Sequence, residues 1–329
     1  MEEMTLKEFI HFFQSTFYKQ LKKERFCCCP NCNNKAIRSH VFQENKILKP
    51  IAYNSKIYQF EHNSLFNPQK VVYKLKGINV AFSFNGYCNY HDNSIFAPIE
   101  KNNAIIDWTD RYNQFLLGYK SICNELFRVN VGIDTLTIIF RDTLSTLSPN
   151  IFKRKSDLEG LKLVLDRYKK RFENYLFEQI DCNEYYFETI ILPFQIDICI
   201  SAPIQIDGIR KYNFNTGLRE TNIINIFPYN GSTIIIIGYS EGFDNNWAKR
   251  ISNKLRSKDW LEISVAIQDV LLHAEFHCMS KKLYDKILPN ISVFLEDWYK
   301  NMTNYDMDIK YSSNIFYDYI SEIANYNSK

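Results

Sequence analysis

The sequence predicts an α+β fold in two parts, residues 1–130 and residues 150–329. Two long runs rich in β-branched residues, Tyr186 to Ile206 and Ile223 to Tyr239, predict a mainly antiparallel sheet in the second part. Several other segments repeat apolar residues at helical intervals. At 329 residues the chain exceeds one compact unit of typical size. The polar stretch from Ser148 to Gly160 therefore marks the expected division.

The first part is expected to begin with a helix from Thr5 to Glu24. Thr5 and Glu8 have the spacing of a capping box. Short strands and loops follow, with strands predicted at Ala36 to Phe42, Ile57 to Phe60, Val71 to Leu75 and Ile78 to Phe84. A helix from Ile105 to Phe127 is expected to close this part.

The second part is predicted to open with a helix from Asp157 to Gln179, where Ser156 and Glu159 again have capping-box spacing. The two strand regions come next. Further helices are expected at Trp260 to Leu288, at Ile291 to Met302 and near the end of the chain. We expect this part to act as a sensor or to bind a protein partner.

Composition excludes several classes of protein. Aromatic residues make up 16% of the chain, which is typical of ordered proteins. No stretch approaches the roughly 20 apolar residues that span a bilayer, and the start MEEMTLKEF lacks a basic signal-peptide region. We therefore expect a cytoplasmic protein with no membrane partner. Phosphate-loop, dinucleotide-binding and serine-hydrolase motifs are also missing from the sequence.

Nine cysteines, four of them between Cys27 and Cys32, indicate metal binding in a reducing compartment. Cys29 and Cys32 form a C-x2-C pair, and Cys88 and His91 repeat the two-residue gap. These four residues provide the thiolates and imidazole that a structural Zn²⁺ prefers. The order of cysteine pair, strands and ligands at a helix start predicts a treble-clef zinc module.

The three consecutive cysteines leave the first ligand open. Cys28 could replace Cys29 if three residues separate it from Cys32. The closer spacing favours Cys29, and Cys27 and Cys28 are then expected to pack nearby or to be exposed.

Residues 25–100 resemble the zinc-stabilised ββα-metal module of HNH-type endonucleases. The resemblance is carried by Cys29 to Cys32, by Ala36 to His40 and by Cys88 to Asp92. It also extends to uncharacterised bacterial proteins with such modules, some of them linked to phage defence. The resemblance implies metal-dependent cleavage of DNA or RNA.

By the same resemblance, His40 would be the general base that activates water. Asp92 or Asn85, with Asn93 as a weaker alternative, would hold a catalytic Mg²⁺ or Mn²⁺ ion. The chain departs from the family at Ser39, where an aspartate usually precedes the base. A core histidine at position 40 and a helix-start carboxylate at position 92 are the alternative interpretations.

Six cations near this module are candidates for phosphate contacts: Lys19, Lys22, Lys23, Arg25, Lys35 and Arg38. Two functions remain open. One is an endonuclease. The other is a non-catalytic zinc-binding protein that binds nucleic acid or protein within a larger assembly.

A further histidine pair, His273 and His277, has the i, i+4 spacing of metal ligands on one helix face. The intervening Glu275 does not match the metalloprotease motif, and no third ligand is evident. We expect a structural role for this pair.

Overall fold

A computed structural model describes residues 5–62, 71–100, 105–142, 148–205, 212–213, 217–303 and 313–327. It is a mixed structure of helices and antiparallel strands, which confirms the α+β class. The helices are α1 (Leu6–Lys22), α2 (Asn89–Ile95), α3 (Ala97–Glu100), α4 (Arg111–Asp142), α5 (Ser148–Glu178), α6 (Asn246–Leu255), α7 (Trp260–His273), α8 (Lys281–Ile287), α9 (Ile291–Thr303) and α10 (Tyr317–Asn327). None of these helices in the described ranges is long and apolar enough to cross a bilayer.

Within the described ranges the strands form three antiparallel sheets. They are β1 (Ile37–His40), β2 (Lys56–His62), β3 (Val71–Gly77), β4 (Ser83–Tyr87), β5 (Tyr185–Leu192), β6 (Ile198–Ile204), β7 (Tyr212–Asn213), β8 (Leu218–Arg219), β9 (Asn222–Tyr229), β10 (Ser232–Ser240) and β11 (His277–Met279). The largest sheet has the order β3-β2-β11-β6-β9-β10-β5. β1 pairs with β4, and β7 pairs with β8.

The capping box predicted at the start of α1 is confirmed. The Glu8 amide donates to the Thr5 hydroxyl at 3.3 Å, and the Thr5 amide donates to the Glu8 carboxylate at 2.9 Å. Phe9 and Phe13 on this helix are buried. Because a capping box and an apolar stripe are local signals, the sequence alone locates this helix.

The large sheet is buried on both faces, which explains the continuous apolar runs in its strands. On β10, Ile234 and Ile236 pack into the core shared with α4 and α5. Ile235 and Ile237 pack into a second core with α6 to α10. Each predicted strand region contains two strands, and β9 and β10 are joined by Asn230 and Gly231, both with positive φ.

The sheet joins the two predicted parts of the chain. β2 comes from the first part, and Gln59 pairs there with Cys278 of β11 from the second. β11 pairs in turn with β6. Strands from both sides of the division predicted between residues 130 and 150 are therefore hydrogen-bonded within one sheet.

The helix predicted from Trp260 to Leu288 is interrupted, so the helical spacing expected for the histidine pair is wrong. α7 ends at His273, and His277 lies on β11, so the two side chains do not share a helix face. His277 is fully buried, and its Nε2 accepts a hydrogen bond from the Tyr73 hydroxyl at 2.6 Å. Burial lowers the pKa of His277 to about 3, which makes it a neutral core residue.

Candidate metal centre and its surroundings

The structure brings together three thiols and one imidazole between the β1–β4 pair and α2. They belong to Cys27, Cys32, Cys88 and His91, and their ligand atoms all lie within 4.8 Å of one another. Cys88 is the N-cap residue of α2, and His91 lies in its first turn. A loop begins at Cys27 and ends at Cys32, and we call these residues, 27–32, the knuckle. Asn31 takes a left-handed conformation there with φ of 57°.

The spacing of these atoms fits a four-coordinate ion. Metal–sulfur bonds of about 2.3 Å and metal–nitrogen bonds of about 2.0 Å at tetrahedral angles place neighbouring ligand atoms roughly 3.5 to 3.8 Å apart. The Cys32 and Cys88 sulfurs are 3.9 Å apart. The His91 Nδ1 atom lies 3.3 Å from the Cys27 sulfur and 3.4 Å from the Cys88 sulfur. The cluster can therefore hold a metal ion with little rearrangement.

The first cysteine of the cluster differs from the prediction, because Cys27 takes the place expected for Cys29. The Cys28 amide donates to the Gly86 carbonyl at 2.7 Å, and this bond aligns the start of the knuckle with β4. The Cys27 sulfur then faces His91. Cys27 and Cys32 are separated by four residues, a gap that zinc-binding pairs also use.

The two remaining cysteines of the triplet have other environments. Cys29 is buried, and burial is the main cause that raises the pKa of its thiol well above the usual value. The Cys28 thiol is hydrogen-bonded to the thiol of Cys123 on α4, which raises the pKa of Cys28. Both residues therefore remain neutral thiols that pack the knuckle against the rest of the molecule.

The cluster itself favours a thiolate at one position. Burial opposes ionisation of Cys88, but hydrogen bonds from the His91 backbone and from the Cys32 thiol outweigh it and lower the pKa of Cys88. Burial raises the pKa of Cys27. Since metal ions bind thiolates, a bound cation would supply the charge that holds Cys27 ionised.

His40 ends β1, and its ring is held by the backbone of another segment. Its Nε2 atom donates to the Ile78 carbonyl at 2.9 Å, and the Glu44 carboxylate lies 3.8 Å away. Ser39 points to the opposite face of β1 and is fully buried. The Ser39 hydroxyl has no hydrogen-bond partner among the described atoms.

Asn85 lies on the same face of the two-stranded sheet as His40. Arg38 pairs with Asn85, and His40 pairs with Ser83, so alternate residues place all four side chains on one face. Asn93, in contrast, donates to the Asn89 carbonyl at 2.7 Å within α2. The register thus groups His40 with Asn85 and leaves Asn93 in a local helical contact.

A lysine that the sequence analysis did not select lies between His40 and Asp92. Lys120 on α4 is fully buried. Its ammonium group donates to the His40 carbonyl at 2.9 Å and also contacts the Glu100 carboxylate. It lies 3.9 Å from the Asp92 carboxylate and 4.2 Å from the centre of the Phe96 ring. The only signal in the sequence is a lysine within an apolar helix, which predicts nothing about its partners.

Of the six candidate phosphate-binding cations, three form ion pairs with carboxylates of the described residues and three do not. Lys23 and Arg25 both contact Asp134 on α4, at 3.2 Å and 3.1 Å. Lys35 pairs with Glu24 at 2.6 Å, and both side chains are more than 60% exposed. Within the described part of the chain no ion pair involves the exposed residues Lys19, Lys22 and Arg38.

Two aromatic residues beside the cluster are highly exposed and were not predicted as functional. Phe26 and Tyr90 each keep 70% of their surface exposed. Each immediately precedes a cluster residue, Cys27 or His91. Exposure of a side chain depends on tertiary packing, so the sequence carried no signal that could have selected them.

Comparison with known proteins adds no relative. No family model matches the chain, and neither the curated proteins nor the solved structures contain a match.

Proposed function

We propose that this chain is a zinc-stabilised, non-catalytic nucleic-acid-binding protein. Three thiols and one imidazole at tetrahedral spacing form a closed set of the ligands that structural Zn²⁺ prefers. All four protein ligands would be used, which leaves no open position for water or substrate. The metal would therefore hold the knuckle against α2, in a treble-clef arrangement, and take no part in a reaction.

The position of Lys120 is the observation that carries the non-catalytic assignment. Its buried ammonium group donates to the His40 carbonyl, contacts the Glu100 carboxylate and lies 3.9 Å from the Asp92 carboxylate. The Lys120 ammonium group would repel a divalent cation placed among these oxygens by several kcal/mol at the effective dielectric of protein sites. Together with Ser39 in place of an aspartate, this supports a module without a catalytic metal.

The charges near the cluster support nucleic acid as the partner. Lys19 and Lys22 lie at the exposed C-terminal end of α1, and Arg38 is exposed on β1. Lysine and arginine side chains of this kind neutralise phosphates and release counterions. A role in phage defence, a protein partner for the C-terminal part and a cytoplasmic location remain predictions from the sequence.

An HNH-like endonuclease is the second candidate, and the orientation of His40 favours it. The hydrogen bond from Nε2 to the Ile78 carbonyl fixes the tautomer and leaves Nδ1 as an acceptor. A histidine held in this way can accept a proton from water. The two candidates differ in whether the chain breaks phosphodiester bonds.

A cleavage assay separates them. We expect the purified, zinc-loaded protein to leave plasmid DNA and RNA intact with Mg²⁺ or Mn²⁺, as His40→Ala also will. Metal-dependent nicking by the wild type that His40→Ala abolishes would establish the nuclease instead.

A binding assay tests the proposed partner. Fluorescence anisotropy with labelled DNA and RNA should show binding that weakens as salt rises. Lys22→Glu and Arg38→Glu should each weaken it, whereas Lys258→Glu, an exposed lysine between α6 and α7, should not. Absence of binding to every nucleic acid by the folded, zinc-loaded protein would contradict the proposal.

A further inference from the structure

The exposed rings of Phe26 and Tyr90 flank the candidate metal centre, and we propose that they stack on unpaired bases, so that the module binds single-stranded nucleic acid. This inference rests on the proposed function and specifies its ligand. Both residues keep 70% of their surface exposed. Aromatic faces of this kind stack on any base, because every base has a π-face.

The cluster brings together the residues that directly follow Phe26 and Tyr90. Phe26 precedes Cys27 and Tyr90 precedes His91, and the Cys27 sulfur is 3.3 Å from the His91 Nδ1 atom. Phe26 also forms an antiparallel bridge with Lys35. The Tyr90 ring lies edge-on to the His91 ring, with 5.2 Å between centres. A bound metal would make this arrangement rigid, which lowers the entropy lost when bases stack.

The charges around the rings favour nucleic acid over an apolar protein surface. Lys35 lies opposite Phe26 in the bridge, and Arg38 is exposed on the adjoining strand. The exposed ion pair between Lys35 and Glu24 is of the weak class, so a phosphate can compete for the lysine. Exposed cations beside the Phe26 ring match a backbone of phosphates with bases turned toward the protein.

A paired duplex fits this surface less well than a single strand. In a duplex each base is already stacked on its neighbours, and its faces are inaccessible. Groove recognition requires side chains that donate or accept hydrogen bonds at base edges. Phe26 has no polar atom, and the Tyr90 ring offers one hydroxyl. Stacking on unpaired bases uses the surface that both side chains present.

The test compares binding of labelled single strands of about 20 nucleotides, longer than a typical single-strand site, with binding of the matching duplex. DNA and RNA of the same sequence are both used. Phe26→Ala and Tyr90→Ala are each expected to weaken single-strand binding roughly fivefold or more. Duplex binding should change little, and Phe26→Trp should restore single-strand binding.

Controls distinguish stacking from damage to the fold. Tyr317→Ala removes a ring that is 42% exposed on α10, which packs against α7, and should leave binding unchanged. Zinc content and the thermal midpoint should match the wild type in every variant. If the wild type binds nucleic acid and both alanine variants retain full single-strand affinity, the stacking inference is overturned while the proposed function stands. If the wild type binds neither form, both proposals fail.

Discussion

Neighbouring residues of one chemical type have different roles here because their surroundings differ. Cys27 faces His91, Cys28 faces Cys123 on α4, and Cys29 is buried. Lysines show the same contrast. Lys120 is fully buried among oxygen atoms, while Lys22 is exposed. A residue's chemistry in this protein is set by contacts from distant segments.

The metal content of two serine variants tests the assignment of the first ligand. Cys27→Ser removes a ligand and should lose most of the bound zinc. Cys29→Ser should keep one equivalent, because its thiol lies outside the four-residue cluster. Elemental analysis of both folded variants decides the point, and the opposite pattern would restore Cys29 as the ligand.

Glu125 on α4 should make the protein less stable as pH rises. Burial raises its pKa to about 7, opposed by the cation of Arg128 and assisted by the Glu275 carboxylate. The folded state therefore binds the proton more tightly than the unfolded state. Its stabilising contribution is complete below about pH 4.5 and is lost as pH rises through about 7.

Urea unfolding at about pH 5 and about pH 8 measures this effect. The rise of the Glu125 pKa from 4.5 to about 7 corresponds to a change of about 3 kcal/mol in the free energy of unfolding, as an upper bound. Relative to the wild type, Glu125→Gln should gain stability at the higher pH and show a flatter pH dependence. Glu159→Gln, at an exposed position on α5, is the matched control. Equal pH profiles for the wild type and Glu125→Gln would show that Glu125 does not titrate in this range.

At the scale of elements, α4 packs against helices and strands from both predicted parts of the chain. It contacts α1, α5, β4, β6 and β9. Its polar residues are buried as well as its apolar ones, and Ser121 hydrogen-bonds to Ser201 of β6 at 2.7 Å. A helix buried along so many directions has little amphipathic periodicity. The prediction accordingly placed its C-terminal end at Phe127, before the observed end at Asp142.

Close packing of α4 predicts opposite effects for two glycine substitutions. A Cβ atom at Gly118 would lie 2.8 Å from Phe187 and 2.9 Å from Phe172. Gly118→Ala should therefore destabilise the protein by about 1 to 3 kcal/mol. At Gly160 on α5 a Cβ atom meets nothing within 4 Å, so Gly160→Ala should stabilise by about 0.5 to 1 kcal/mol. The urea midpoints of the two variants test whether each substitution stabilises or destabilises the protein. A stabilising Gly118→Ala would mean that the α4–α5 contact is looser than described.

Across the whole molecule, the large sheet joins the segment that holds the candidate metal centre, residues 25–100, to the C-terminal helices. β2 of this segment, which we call the metal module, pairs with β11, which precedes α8. One core extends from Phe9 and Cys88 to Cys278. Elements far apart in the sequence share this core, so partial unfolding would expose apolar surface on both sides.

The molecule is therefore expected to unfold in one transition. Far-ultraviolet circular dichroism and zinc release, followed during the same urea titration, should have the same midpoint. Zinc release at a clearly lower urea concentration, with the sheet signal unchanged, would instead show that the metal module is an independent unit.

Features that depend on neighbouring residues could be predicted from the sequence. These are the capping box of α1, the apolar runs of the sheet and the two-residue gap between Cys88 and His91. Such signals arise from hydrogen bonds and side-chain periods within a few residues. Spacing alone could not choose among three consecutive cysteines.

Tertiary structure decided the rest, because long-range pairing sets where side chains point. The bond from Cys28 to Gly86 turns Cys27 toward the cluster. Pairing with β2 and β6 makes residues 277–279 a strand, although their pattern suits a helix. The packing of α4 brings Lys120 to His40 and Asp92, 80 and 28 positions earlier in the chain. No local pattern encodes that contact, on which the proposed non-catalytic role rests.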